Sequence, residues 1–139
     1  MSVGLLLITH HRIGEELLNT SRSILGLCPL RVAHLNVSQS DDPVEMLQRG
    51  RRMVQYLDSG DGVLILTDAL GSTPSNVATR LGEQADISVV AGVNLPMLLR
   101  VLNYPDLKLA ELQQKAVSGG RDGVLAVETI KAVNNERQQ

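Results

Sequence analysis

Apolar residues run from Val3 to Ile8, interrupted only by Gly4, and the chain then turns polar at Thr9-His10-His11. A short continuous apolar run predicts a strand buried on both faces. From Arg12 to Leu27 the apolar positions change to helical spacing, at Ile13, Leu17, Ile24 and Leu25, with Gly26 near the end. That pattern predicts an amphipathic helix. Arg31 to Val37 alternates as a second strand. Asp42-Pro43 opens a helix, with Asp42 as N-cap, Pro43 in the first turn and Glu45 three residues after the cap. Ser59-Gly60-Asp61-Gly62 breaks the chain before a third strand, Val63 to Leu66, which ends at Thr67-Asp68. The turn Gly71-Ser72-Thr73-Pro74 starts a helix that ends near Gly82. Ile87 to Val93 reads as a fourth strand. Leu95-Pro96 opens a helix through Leu102, and Asp106 to Ser118 forms another, closed by Gly119-Gly120. Gly123 to Val127 reads as a last short strand, and residues 131–139 as a polar tail.

Strands that alternate with helices predict an α/β domain with a mainly parallel sheet. Right-handed crossovers leave few topologies, and a flavodoxin-like open sheet of order 2-1-3-4 leads them. The first and third strands are then neighbours, and ligand sites lie beyond their carboxyl ends. No internal repeat or linker divides the chain, so residues 1–130 form one domain.

Composition narrows the function. The core must be aliphatic: the 139 residues include no Phe and no Trp, and the tyrosines are Tyr56 and Tyr104. Stacking on bases is a poor hypothesis for such a chain, and a formal net charge of -2 gives no reason to expect a nucleic acid partner. The single cysteine, Cys28, excludes an intrachain disulfide and a cysteine-rich zinc site, and points to a reducing compartment. No apolar run reaches the ~20 residues that span a bilayer. The first residues lack the basic start and small-residue cleavage site of a signal peptide. A cytoplasmic domain is the expectation.

In the expected topology His10 and Asp68 face each other across the crevice. Neutral imidazole keeps a lone pair on one ring nitrogen at cellular pH. A carboxylate accepting the proton of the other nitrogen fixes the tautomer and supports positive charge on the ring. Such a pair can take up a phosphoryl group. Thr73 as N-cap, with Pro74 at the first helical position, would leave the Ser75 and Asn76 amides at the positive end of a helix. Gly71 lets the backbone come close, and the hydroxyls of Thr9, Ser72 and Thr73 add hydrogen bonds. Phosphoryl transfer is mostly positioning and charge stabilisation, so this small set suffices.

Thr9-His10 after a first apolar strand and Asp68-Ala69-Leu70-Gly71-Ser72-Thr73-Pro74-Ser75-Asn76 after the third resemble the mannose-family enzyme IIA domain of the bacterial phosphoenolpyruvate-dependent sugar phosphotransferase system. Ala91-Gly92-Val93-Asn94-Leu95-Pro96-Met97 and Gly120-Arg121-Asp122-Gly123-Val124 extend the match, in the same order, to about residue 130. The resemblance implies that His10 accepts a phosphoryl group from the histidine-containing phosphocarrier protein and passes it to an enzyme IIB protein, with Asp68 as orienter. Thr73 and the Gly71-Ser72 backbone would contact the phosphate. No cofactor is implied, because the donor is another protein's phosphohistidine. The resemblance also implies a homodimer that exchanges the final strand, here about Gly123 to Val127. Any IIB partner would be a separate protein, and a membrane would be met only through a transport complex; the alternative is a regulatory role. The chain departs from the family pattern at Ile8 and His11, where glycines are common, at Leu70, where Trp is usual, and at Ser72, the place of a second glycine.

Other readings stand beside this one. The phosphocarrier subunit of dihydroxyacetone kinases has a similar domain, but its turn lacks the Pro74-Ser75-Asn76 ending. A receiver-type signalling domain would use Asp68 as phosphoacceptor, yet it needs an acidic pair after the first strand, where this chain has Thr9-His10-His11. A non-catalytic regulator could use the same site. Flavin binding lacks both its phosphate loop and its aromatic cover. A metal site from His10, His11, His34, Asp68 and Cys28 matches no zinc spacing. His11 is expected to be a solvated histidine, His34 and Cys28 structural, and Arg49, Arg51 and Arg52 a solvated face. Asn94 and Pro96 either border the crevice or begin a helix.

Overall fold

A computed structural model describes residues 2–128. Nine elements follow in order: β1 (Gly4–His10), α1 (Ile13–Leu25), β2 (Val32–Val37), α2 (Pro43–Leu57), β3 (Val63–Thr67), α3 (Thr73–Leu81), β4 (Ile87–Ala91), α4 (Leu95–Leu102) and α5 (Leu109–Asp122). All strand pairs are parallel and the sheet order is β2-β1-β3-β4, the expected flavodoxin-like arrangement.

The sheet divides the core in two, because successive side chains leave a strand on opposite faces. Leu5 and Leu7 of β1 join Leu64 and Leu66 of β3 beneath α1, α4 and α5. Leu6 and Ile8 join Val63 and Ile65 beneath α2 and α3. The four β3 residues Val63 to Leu66 are each 0% exposed, which is why this strand reads as an unbroken apolar run. Among the described residues no helix is long and apolar enough to cross a membrane.

Three expectations need correction. Gly119 and Gly120 do not end α5; they lie inside it, where it packs on α4. A Cβ on Gly119 would stand 2.8 Å from the Arg100 Cβ, so these glycines serve helix contact and not helix termination. The fourth strand stops at Ala91, where Gly92 turns the chain with φ 87°. The expected strand from Gly123 to Val127 does not form. Gly123 caps α5, with its amide donating to the carbonyls of Gly119 and Arg121, and residues 124–126 have no regular structure. Val127 and Glu128 are helical instead, and the segment does not pair with the β4 edge of its own sheet. Residues 131–139, expected to be a polar tail, lie outside the described residues.

Candidate active site

Parallel pairing of β1 and β3 sets Ile8 beside Thr67, so the residues just beyond each strand meet at the same end of the sheet. His10 leaves β1 on the same face as Ile8, the face covered by α2 and α3. Asp68 follows β3 directly. Its Oδ2 accepts from the His10 amide at 2.8 Å and lies 2.8 Å from His10 Nδ1, while Oδ1 accepts from the Ala69 amide at 2.8 Å. The Asp68 side chain is 14% exposed and that of His10 40%. Burial pushes the Asp68 carboxyl up, but the hydrogen bonds from the His10 amide, the His10 ring and the Ala69 amide outweigh it and hold the carboxyl below its ordinary value. An ionised carboxylate only accepts, so Nδ1 carries the ring proton in the neutral imidazole. The lone pair is then on Nε2, on the side away from Asp68.

His10 borders a cavity of about 210 Å³ together with Ser38, Asp41, Pro43, Thr73 and Pro74. Ser38 and Asp41 were not among the residues expected here. They follow β2, which neighbours β1, and the switch-point rule applied to that strand end would have found them. Their loop is tied by the Ser38 amide donating to Asp41 Oδ2 at 2.8 Å.

The helix-start residues differ from expectation in detail. Ser72, not Thr73, is the N-cap of α3, and Pro74 occupies the second helical position. The Asn76 amide is used in the first helical bond, to the Ser72 carbonyl at 2.9 Å. The Thr73 and Ser75 amides find no acceptor among the described residues. Ser72 Oγ donates to the Ala69 carbonyl, so its hydroxyl holds the turn together. Gly71, at φ 90°, supplies the left-handed step in that turn. Thr9 leaves the phosphate-binding set: it is 0% exposed, and its Oγ1 accepts from the Gly14 amide at 2.8 Å. It sits on the opposite face of the sheet from His10 and fixes the entry into α1.

The remaining candidates disperse. His34 contacts Asn36 Oδ1 through Nδ1 at 3.1 Å and lies 3.5 Å from Glu15 through Nε2, within a surface polar cluster. Cys28 Sγ donates to the Leu30 carbonyl before β2, away from the strand ends that carry His10. Among the described residues no three His, Cys, Asp or Glu side chains form a metal-sized group. Asn94 resolves as a cap: its Oδ1 accepts from the Met97 amide at 2.9 Å and its Nδ2 donates to the Gly120 carbonyl at 3.1 Å. Leu70, beside Asp68, is 82% exposed.

His11 is exposed and has φ 47°, a left-handed conformation unusual for any residue with a Cβ. Its amide donates to the Val37 carbonyl at 2.9 Å, which holds it there. The left-handed form costs an L-residue ~1–2 kcal/mol. Glycine removes that cost and loses ~0.5–1 kcal/mol of chain entropy. His11→Gly is therefore expected to raise stability by up to about 1 kcal/mol in urea unfolding; a loss of that size would show that the His11 side chain makes a stabilising contact.

A family model described as "PTS system fructose IIA component" (EIIA-man) matches residues 4–117. The chain belongs to this family. It is 32% identical over 130 residues to the "PTS system mannose-specific EIIAB component" of Escherichia coli (strain K12), a match covering 91% of this chain and 40% of that protein. The chain thus spans about 40% of the length of the curated relatives it matches. Among solved structures it resembles the mannose/sorbose specific IIA subunit of the phosphotransferase system from Enterococcus faecalis, with TM-score 0.80, 27% identity, and coverage of 91% of this chain and 95% of that one. A IIA protein associated with the fucose utilization operon of Streptococcus pneumoniae matches with TM-score 0.79 and 26% identity over 93% of this chain and 98% of that one. The mannose-family enzyme IIA resemblance read from the motifs is borne out, and so is the open parallel sheet. As a IIA component of the phosphotransferase system, the chain is a phosphotransferase-system protein.

Proposed function

We propose that the chain is a phosphoryl carrier that accepts a phosphoryl group on His10 Nε2 from the histidine-containing phosphocarrier protein. The observation that carries this reading is the double hydrogen bond to Asp68 Oδ2, from the His10 amide and the His10 ring, which orients Nε2 as the nucleophile. In the transfer, the N–P bond on the donor breaks as the Nε2–P bond forms, and the released electron pair stays on the donor's ring nitrogen. The His10 ring becomes cationic, with Nδ1–H still donating to the ionised Asp68. The α3 N-terminus, with the Thr73 amide and hydroxyl, stabilises the phosphoryl oxygens, and the Gly71-Ser72 turn aims it. The group then passes to an enzyme IIB component, or the phosphorylated state is read by a regulatory partner. The chain does this in the cytoplasm and meets a membrane only through a transport complex.

The test is mass spectrometry after incubation with phosphorylated carrier. One phosphoryl group mapped to His10, lost in acid, is the expected result. A base-labile acyl phosphate on Asp68 would turn the reading to a receiver domain, and no modification would end it.

We also propose a homodimer that exchanges the segment Gly123 to Val127. In support, β4 is an open sheet edge, and the cavity of about 520 Å³ against it is lined by Val89, Val90, Met97, Val117 and Val124. Val124, Leu125 and Val127 are 76%, 62% and 60% exposed in the single chain, a costly display unless another chain covers them. Sedimentation at micromolar concentration is expected to give a dimer, and Val124→Asp with Leu125→Asp a monomer. A clean monomer of the unaltered chain would remove this proposal and leave the His10 chemistry standing.

A further inference from the structure

A second cavity, of about 420 Å³, runs between α2 and α3. Its apolar lining comes from Val44, Leu47 and Val77, and it is flanked by Arg51 of α2 and Arg80 of α3. Pro43 and Thr73 line both this groove and the cavity that holds His10, so the two adjoin. No acidic residue lines the groove. Arg51 has no ion pair among the described residues, and Arg80 has only a long one, with Nε 3.9 Å from Glu83 Oε1. Asp41 lines the adjoining His10 cavity and accepts from the Ser38 amide, and Asp42 accepts from the Val44 amide. Val44 is 63% exposed although apolar. Nothing in the chemistry at His10 requires these two arginines or this apolar strip.

We propose that the groove docks the phosphorylated form of the donor carrier, and that Arg51 and Arg80 select this form over the spent one. The inference rests on the His10 reading. A phosphoryl group brings close to two negative charges. A cleft lined by one sign of charge, with low-dielectric walls, raises the rate at which an opposite charge arrives. The donor therefore reaches the groove faster when it is loaded. Transfer moves the dianion from the donor to His10 Nε2: one N–P bond breaks, the other forms, and the electron pair remains on the donor ring. The charge that drew the donor in has then left it, and it now offsets the arginines from the His10 side. The spent carrier keeps only the apolar contact with Val44, Leu47 and Val77 and dissociates. The same two charges that speed loading thus prevent inhibition by the spent donor.

The test compares the parent chain with Arg51→Gln/Arg80→Gln and Arg51→Lys/Arg80→Lys. Initial rates of His10 phosphorylation are measured with the phosphorylated histidine-containing carrier over a range of donor and salt concentrations. The glutamine pair is expected to lower kcat/KM roughly tenfold at low salt, chiefly through KM, and to flatten its dependence on salt. The label still arrives at His10 at the end of the reaction. The lysine pair, which keeps the charge, is expected to keep the parent's rate and salt dependence. Unphosphorylated carrier is expected to inhibit the glutamine pair more, relative to its KM for loaded donor, than it inhibits the parent. An unchanged kcat/KM and salt slope in the glutamine pair would overturn the proposal, as would a defect that lysine does not restore. Failure of the underlying reading looks different: the parent itself would then take no label at His10.

Discussion

A His10→Ala variant incubated with phosphorylated carrier is expected to take up no label, whereas His11→Ala labels as the parent does. The two residues are adjacent, yet the backbone separates their roles. His10 is the last residue of β1 and leaves the sheet on the α2/α3 face, with Nδ1 2.8 Å from Asp68 Oδ2. His11 is past the strand, at φ 47°, and its exposed ring has no hydrogen bond among the described residues. Only the former has a carboxylate to fix its tautomer and to support the cationic phosphorylated ring. The loss in His10→Ala should not be a folding defect. The ring is 40% exposed, and Asp68 keeps the hydrogen bonds from the His10 and Ala69 amides. Removing the single ring contact costs ~0.5–1.5 kcal/mol or somewhat more. Circular dichroism of the variant should match the parent. Label retained in a folded His10→Ala chain would remove the central assignment, and label lost in His11→Ala would move it by one residue.

The readable part of this protein and the unreadable part have different physical origins. The central strands β1 and β3 are buried on both faces, so they are written as apolar runs that need no tertiary information to recognise. The site pair was legible for a related reason: the topology that such runs imply forces the ends of β1 and β3 together, and the polar residues there are His10 and Asp68. Helix starts were legible only to within a residue. Asp42-Pro43 capped as expected, but at α3 three successive residues can all begin a helix, and the choice of Ser72 over Thr73 follows from Ser72 bonding back to Ala69. Thr9 looks like a ligand because its hydroxyl is next to His10 in the sequence, although strand alternation sends it to the other face. Gly119 and Gly120 look like a stop in the sequence, whereas their smallness serves the contact of α5 with α4. Segment 123–127 has the composition of a strand, but composition does not say whether a strand pairs with an edge, and here the β4 edge of the same chain stays unpaired. The arginine-flanked groove is not legible in the sequence, because its walls come from two helices whose charged residues, taken singly, form an ordinary solvated face.

Asp68→Asn is expected to slow phosphoryl transfer by about 10–100-fold while leaving the fold intact. Every hydrogen bond at this side chain is one that a carboxylate accepts: Oδ2 takes the His10 amide and the His10 ring, and Oδ1 takes the Ala69 amide. An asparagine must put its NH2 at one of those two positions. At the Oδ2 position it opposes the His10 amide and forces Nδ1 to become an acceptor. The ring proton then sits on Nε2, and the nucleophilic lone pair is gone. At the Oδ1 position it opposes the Ala69 amide and keeps the productive tautomer, but the negative charge that supports the phosphorylated ring is lost. Both arrangements impair the chemistry, one through the tautomer and the other through charge. Because all three donors belong to residues 10 and 69, the damage to stability stays local, at ~1–3 kcal/mol for one opposed donor pair. Acid titration supplies a second readout. Asp68 has a lowered carboxyl pKa in the folded chain, so its stabilisation is complete above the unfolded value near ~4 and disappears as pH falls through the folded one. The asparagine variant should lack that share of the acid loss. Transfer at the parent's rate in Asp68→Asn would show that the carboxylate merely closes the β3 turn, and His10 would then need another orienter.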